Sequence, residues 1–86
     1  MQAFVYFFAF WCGPCKTTAQ TIDSLLEEFE GKVEFFRVDI DECPEISTKY
    51  SVRSVPSCLL FTYGQKRGDK VGISPSSVLR NFINSV

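Results

Sequence analysis

The sequence predicts a single α/β domain over residues 1–86, built as a βαβ unit followed by ββα, with a four-stranded mixed sheet and helices on both faces. Three observations carry that expectation. An apolar run at residues 4–10 leads into a segment of helical periodicity and then a second apolar run at 33–38. This is the spacing of a right-handed crossover, which makes the two strands parallel. Residues 57–63 and 67–73 read as two strands joined by a short turn at Gly64, an antiparallel hairpin. After Ser74-Pro75-Ser76 the apolar residues return to helical spacing.

Taken in order, residues 4–10 are almost continuously apolar and aromatic, as a central strand covered on both faces requires. Pro14 suits a first helical turn, Ala19, Ile22, Leu25, Leu26 and Phe29 mark one helical face, and Gly31 offers a stop. Residues 41–50, with Pro44 near their start, form a short helical or turn-rich connection. Val78, Leu79, Phe82, Ile83 and Val86 supply the apolar face of the last helix. The chain carries no internal repeat and no low-complexity segment.

Composition narrows the function. With 86 residues, 45% of them hydrophobic and nine of them Phe, the chain has the makings of an ordinary globular core and is not a disordered segment. Nine basic side chains against ten acidic ones, with no basic run, point away from nucleic acid and anionic membranes and toward a protein or small-molecule partner. The apolar start lacks the basic flank and cleavage site of a signal peptide, and at about ten residues it falls far short of the ~20 that span a membrane. A cytoplasmic location is expected, where Cys-x-x-Cys is more often catalytic than structural.

Trp11-Cys12-Gly13-Pro14-Cys15-Lys16 stands between the first strand and the helix. Two cysteines so spaced can close a small disulfide, and the partial positive charge of the helix N-terminus favours a thiolate. Cys12, the outer one, should have an accessible sulfur and act as the nucleophile. Cys15, one turn deeper, would resolve the mixed disulfide by attacking Cys12. Two structural alternatives compete, a permanent staple or half of a zinc site. Zinc needs two more ligands, and without His the candidates are Cys43 and Cys58, whose mutual spacing is wrong; no metal is expected. Cys58, mid-strand, reads as a small buried hydrophobe, and Cys43 as a thiol in an exposed connection. Pro56 precedes an internal strand and therefore belongs to a turn, which leaves the Val55-Pro56 bond open between cis and trans.

Trp11-Cys12-Gly13-Pro14-Cys15-Lys16, with Val55-Pro56 about forty residues on and Gly72 after the next strand, resembles the thioredoxin family. The likeness covers nearly the whole chain from Ala3, including Val38-Asp39-Ile40-Asp41 and Tyr50-Ser51-Val52-Arg53. It implies a minimal thioredoxin fold and a cis Val55-Pro56 bond facing the cysteines, with Val55 main-chain groups binding an extended substrate. Trp11, Gly13, Pro14, Val55, Pro56, Val71, Gly72 and Ile73 would then form an apolar contact surface around Cys12. It also implies protein-disulfide reduction through a Cys12/Cys15 dithiol-disulfide cycle, with no bound cofactor and with thioredoxin reductase passing on electrons from NADPH.

Three departures from the family pattern stand out. The family usually carries a strand and a helix ahead of the strand that leads into the cysteines. The chain begins too late for them, so the strand from Val33 to Val38, with Phe35 and Phe36, is expected to be an exposed edge that allows weak self-association. Tyr6 stands where the family has a buried Asp credited with proton transfer at the inner cysteine, and Arg37 replaces a nearby Lys. A phenol with a reference pKa of about 10 is a poor base near neutrality, so Tyr6 reads better as a core aromatic. Phe8 replaces a usual Trp, Phe10 a usual acid and Gln20 a usual Pro, which leaves Asp41, the usual partner of that Trp, as an ordinary solvated carboxylate. Two alternative functions remain, a glutaredoxin-like reductase using glutathione and a non-catalytic binding subunit. Against the first, Cys-Gly-Pro-Cys differs from the common glutaredoxin Cys-Pro-Tyr-Cys.

Overall fold

A computed structural model describes residues 2–85, in the order β1 (Gln2–Phe8), α1 (Gly13–Glu28), β2 (Val33–Asp39), α2 (Pro44–Lys49), β3 (Ser57–Thr62), β4 (Gln65–Val71) and α3 (Ser76–Asn84). The sheet order is β2-β1-β3-β4. β1 runs parallel to β2 and antiparallel to β3, and β3 and β4 form the hairpin, so the expected mixed sheet and crossover are both present.

Element ends differ from the sequence expectation for local reasons. β1 stops at Phe8, short of residue 10, because the Cys12 N–H turns back to the Ala9 carbonyl at 3.1 Å. That turn releases Phe10 and Trp11 from the sheet. The hairpin loop is Tyr63-Gly64, with φ of 51° and 80°, so both central residues have the positive φ of a tight two-residue turn. β4 therefore begins at Gln65, earlier than residue 67, and ends at Val71, before Gly72 with φ of 86°.

Alternation along β1 distributes its side chains to two cores. Phe4 and Tyr6 face Ile22 and Leu25 of α1 and Leu79 and Ile83 of α3, with Cys58 and Leu60 beside them from β3. Phe7 turns to the other face and packs with Leu59 and Phe61, against Tyr50 and Val52, which follow α2. Fully burying a Leu or Phe side chain stabilises the fold by about 1.5–3 kcal/mol. The Arg80–Glu28 ion pair, which also joins α3 to α1, is screened by solvent, so burial dominates this packing.

The stripe on α1 is narrower than the apolar positions suggest. Cys15, Thr18, Ile22 and Leu25 are its buried residues, while Leu26, one step round the helix, is exposed. Thr18 takes a core position that its polarity concealed, and its hydroxyl has no hydrogen-bond partner among the described residues. Val78 is likewise exposed, and Val86, assigned to the same apolar face, lies outside the described residues. Gln20 lies within α1, which is unbroken from Gly13 to Glu28.

β2 is an edge of the sheet, as expected. Its aromatic residues divide between the faces: Phe35 packs on Phe4 with ring centroids 5.2 Å apart, and Phe36 points to the α2 side, where it is partly exposed. On that side a cavity of about 360 Å³ is lined by Ala3, Val5, Phe36, Val38, Ile46, Tyr50, Phe61 and Gly64.

Candidate active site

Cys12 is the N-cap of α1, with extended backbone angles of −85° and 109°, and Pro14 lies in the first turn. These features set the helix start between the two cysteines. Their sulfurs are joined in a disulfide, with Cα atoms 5.3 Å apart. Cys12 Sγ accepts the Cys15 backbone N–H at 3.2 Å, one of the N–H groups that a helix start leaves without a backbone partner. The same contact would stabilise a Cys12 thiolate, and no acidic residue occupies the first turn to oppose it. One expectation needs correction. Cys12 is only 5% exposed in this disulfide state, because both cysteines belong to the core cluster under α1. Both cysteines also line a pocket, together with Tyr6, Phe8, Ala9, Phe10 and Lys16.

The Val55-Pro56 peptide bond is cis. Pro56 is buried, and Val55 packs against the cluster that contains Cys12 and Cys15. The Pro56 carbonyl accepts the Gly72 N–H at 2.8 Å, which ties the loop after β4 to the segment before β3. Gly72 fits there because its φ of 86° lies in the region that side chains disfavour. Val71 and Ile73 on either side of it are exposed, as are Gly13, Pro14 and Trp11, the last at 69%. Phe10, at 89%, is a further exposed aromatic that the contact set omitted. Its signal in the sequence was the replacement of an acid by an aromatic directly beside Trp11.

Tyr6 is 2% exposed, and its hydroxyl donates to the Cys15 carbonyl at 2.7 Å. Its single proton is therefore committed to the backbone of the inner cysteine. Burial pushes the phenol above its ordinary value of 10.0, the Arg37 charge pulls it partly back, and Cys58 adds a smaller upward push. The group is therefore kept in its neutral, hydrogen-donating form near pH 7. Arg37, opposite Tyr6 in the register of β1 and β2, sits over the Phe8 ring at 5.3 Å, and Phe8 stacks on Tyr6 at 5.5 Å.

Asp41 is a second correction. It is not simply solvated: its Oδ2 accepts the Trp11 indole N–H at 2.9 Å. With Phe at position 8, the exposed Trp11 is the indole within reach. Asp39 holds the loop in place, its Oδ1 accepting the N–H groups of Asp41 at 2.9 Å and Glu42 at 3.4 Å.

Cys58 is buried, and that burial pushes its thiol up to about 12. Cys43 is half-buried as the N-cap of α2, so it is less open than its sequence context suggested. No group of three or more His, Cys, Asp or Glu among the described residues is placed to hold a metal ion. No helix among them is long and apolar enough to cross a membrane.

A family model described as Thioredoxin matches residues 1–85. The chloroplastic M-type thioredoxin of Spinacia oleracea is 42% identical over 79 residues, which cover 92% of this chain and 44% of the spinach protein. The thioredoxin of Rickettsia felis is 38% identical over 84 residues, covering 98% of this chain and 80% of its own length. The chain thus spans less than half the length of the first relative and most of the second. Among solved structures, oxidised mitochondrial thioredoxin 3 from Saccharomyces cerevisiae superposes with a TM-score of 0.91 at 29% identity, over 99% of this chain and 78% of the yeast chain. A mutant thioredoxin from Halobacterium salinarum gives 0.90 at 30% identity, over 98% of this chain and 73% of that one.

Proposed function

The chain belongs to the thioredoxin family, and on that footing we propose that it is a thiol-disulfide oxidoreductase that reduces protein disulfides, acting as a single domain over residues 1–86. The observation that carries this reading is the Cys12–Cys15 disulfide at the start of α1, with a helix N–H directed at Cys12 Sγ.

In the reduced protein the Cys12 thiolate attacks one sulfur of a substrate disulfide. A Cys12–substrate bond forms, the substrate S–S bond breaks, and the other substrate sulfur leaves as a thiolate that takes up a proton. Cys15 then gives up its proton and attacks Cys12 Sγ. The Cys12–Cys15 bond closes and the first substrate sulfur is released as a thiol. Two electrons have passed from the dithiol to the substrate. Tyr6 does not accept the Cys15 proton, because its hydroxyl is held as a donor to the Cys15 carbonyl. Water entering through the pocket beside Cys15 takes that role.

Val55, Pro56, Val71, Gly72 and Ile73, with Trp11, Gly13 and Pro14, form the surface that receives the substrate chain, and Val55 main-chain groups bind it in extended form. The bond from Gly72 N–H to the Pro56 carbonyl supports this by holding the two loops together. Thioredoxin reductase is the proposed electron donor, in the cytoplasm.

The test is insulin reduction with NADPH and thioredoxin reductase, run beside an assay with glutathione and its reductase. Turnover in the first that is lost in Cys12→Ser, together with a trapped mixed disulfide in Cys15→Ser, is the expected result. Turnover only with glutathione would establish the glutaredoxin-like alternative instead. A Cys12→Ser protein with full biological activity would establish a binding subunit.

A further inference from the structure

The wall of the pocket beside the disulfide is an aromatic row. Tyr6, Phe8 and Phe10 recur every second residue, and they pass from buried to half-buried to almost fully exposed. The inner two are held by neighbours: Tyr6 by its hydrogen bond to Cys15 O, and Phe8 by stacking on Tyr6 and by the Arg37 guanidinium over its ring. Phe10 forms the open end of the row, and Lys16 stands at the same rim. The lining contains no carboxylate, and neither Lys16 nor Arg37 makes an ion pair within 4.0 Å among the described residues. The volume is about 320 Å³. That is the bottom of the ~300–1,000 Å³ range of ligand pockets, room for one side chain.

We propose that this pocket is a substrate subsite that takes an aromatic side chain carried next to the departing cysteine of the substrate disulfide, with an acidic residue on that cysteine's other side meeting Lys16. The inference rests on the oxidoreductase reading and adds a substrate class to it. Two observations choose this occupant. Cys12 and Cys15 themselves form part of the wall, so the pocket is continuous with the place where any substrate sulfur must sit. Its open rim pairs an unstacked aromatic ring with cationic charge, a surface complementary to an aromatic side chain beside a carboxylate. The pocket is also distinct from the Val55-Pro56 surface. The sheet order puts β2, with Arg37, on one side of β1 and β3, which follows Pro56, on the other. A chain lying along Val55 leaves the aromatic row free for residues of the departing half of the disulfide.

The experiment uses the pre-reduced protein and three symmetric disulfide-linked dimers of a short peptide, so that the attacked and departing halves are identical. One peptide carries Phe and Glu on either side of its cysteine, the second has Ala for Phe, and the third has Lys for Glu. Trp11, the single Trp in the chain, reports the reaction in stopped flow. The Phe-Glu dimer should react about threefold to tenfold faster than either of the others, as one aromatic contact at a rim warrants. Phe10→Glu should remove the preference for Phe, and Lys16→Glu the preference for Glu. Both positions are exposed, and circular dichroism verifies that the variants fold. Equal rates for the three dimers in the wild type would sink the subsite while leaving the oxidoreductase reading intact, and so would preferences that survive both substitutions. No reaction with any dimer would overturn both.

Discussion

Tyr6→Phe isolates the most unusual contact of the site, because it deletes one hydroxyl and keeps the ring. The lost interaction is the 2.7 Å bond to the Cys15 carbonyl, inside the core under α1. That carbonyl lies in the first turn of the helix, where the regular ladder supplies a second donor four residues on, so it is not left bare. The net cost is then that of one neutral hydrogen bond, about 1 kcal/mol, and not the larger penalty of an orphaned buried group. For a domain of this size the melting temperature should fall by about 4–8 °C. Guanidinium unfolding of the oxidised protein, followed by circular dichroism, gives the first number. The second readout is the rate at which Cys15 displaces substrate from the mixed disulfide, measured from pH 6 to 9. The hydroxyl is spent as a donor and its pKa is raised by burial, so this rate should change by less than about threefold and its pH profile should keep its shape. A tenfold slower resolving step, or a profile displaced along pH, would show that the hydroxyl handles the Cys15 proton and would refute the reasoning.

Three further substitutions test other parts of the structure. Cys58 is held protonated by burial, its thiol pushed from 9.0 up to about 12, so this contribution to stability is fully present below pH 9 and is lost as pH rises toward 12. Over that window the wild type should lose stability relative to Cys58→Ala by about 1.4 kcal/mol per pH unit; parallel curves for the two proteins would exclude the burial effect. Gly68→Ala places a Cβ 3.0 Å from Phe82 Cε1, where β4 meets α3, and should destabilise the protein by about 1–3 kcal/mol in urea titration. A neutral outcome would mean that the Phe82 ring yields freely. Gly72→Ala meets open space but keeps a φ of 86°, so it should cost about 1–2 kcal/mol. It should also weaken peptide-disulfide binding by loosening the link to Pro56, seen as a raised KM; an unchanged KM and stability would exclude that role.

Much of the fold is legible in the chain because periodicity records which way each element faces. The run at residues 4–10, the helical spacing after Pro14, the run at 33–38 and the turn at Gly64 identify the elements and their order. The cysteine pair announces itself for a similar reason, since its chemistry depends on spacing and on a helix start, both local properties. Element ends are less legible. β1 ends early because the Cys12 N–H bonds back to Ala9, and β4 ends where Gly72 changes the backbone direction. Leu26 leaves the apolar face it was expected on, and Thr18, for which the sequence offered no apolar signal, is buried there, because a stripe of helical period admits any residue that falls on it.

By itself, then, the sequence determined the fold class, the reactive pair and the family to which both belong. Tertiary structure decided the partners. It committed the Tyr6 hydroxyl to the Cys15 carbonyl, brought Asp41 to Trp11 across 30 positions of sequence, and covered Cys12 more closely than its place at a helix start implied. It also gathered Tyr6, Phe8, Phe10 and Lys16 into one pocket beside the disulfide. The physical reason is the same throughout. Local pattern fixes the direction in which a side chain leaves the backbone, but its hydrogen-bond partner and its exposure depend on what other elements bring to meet it.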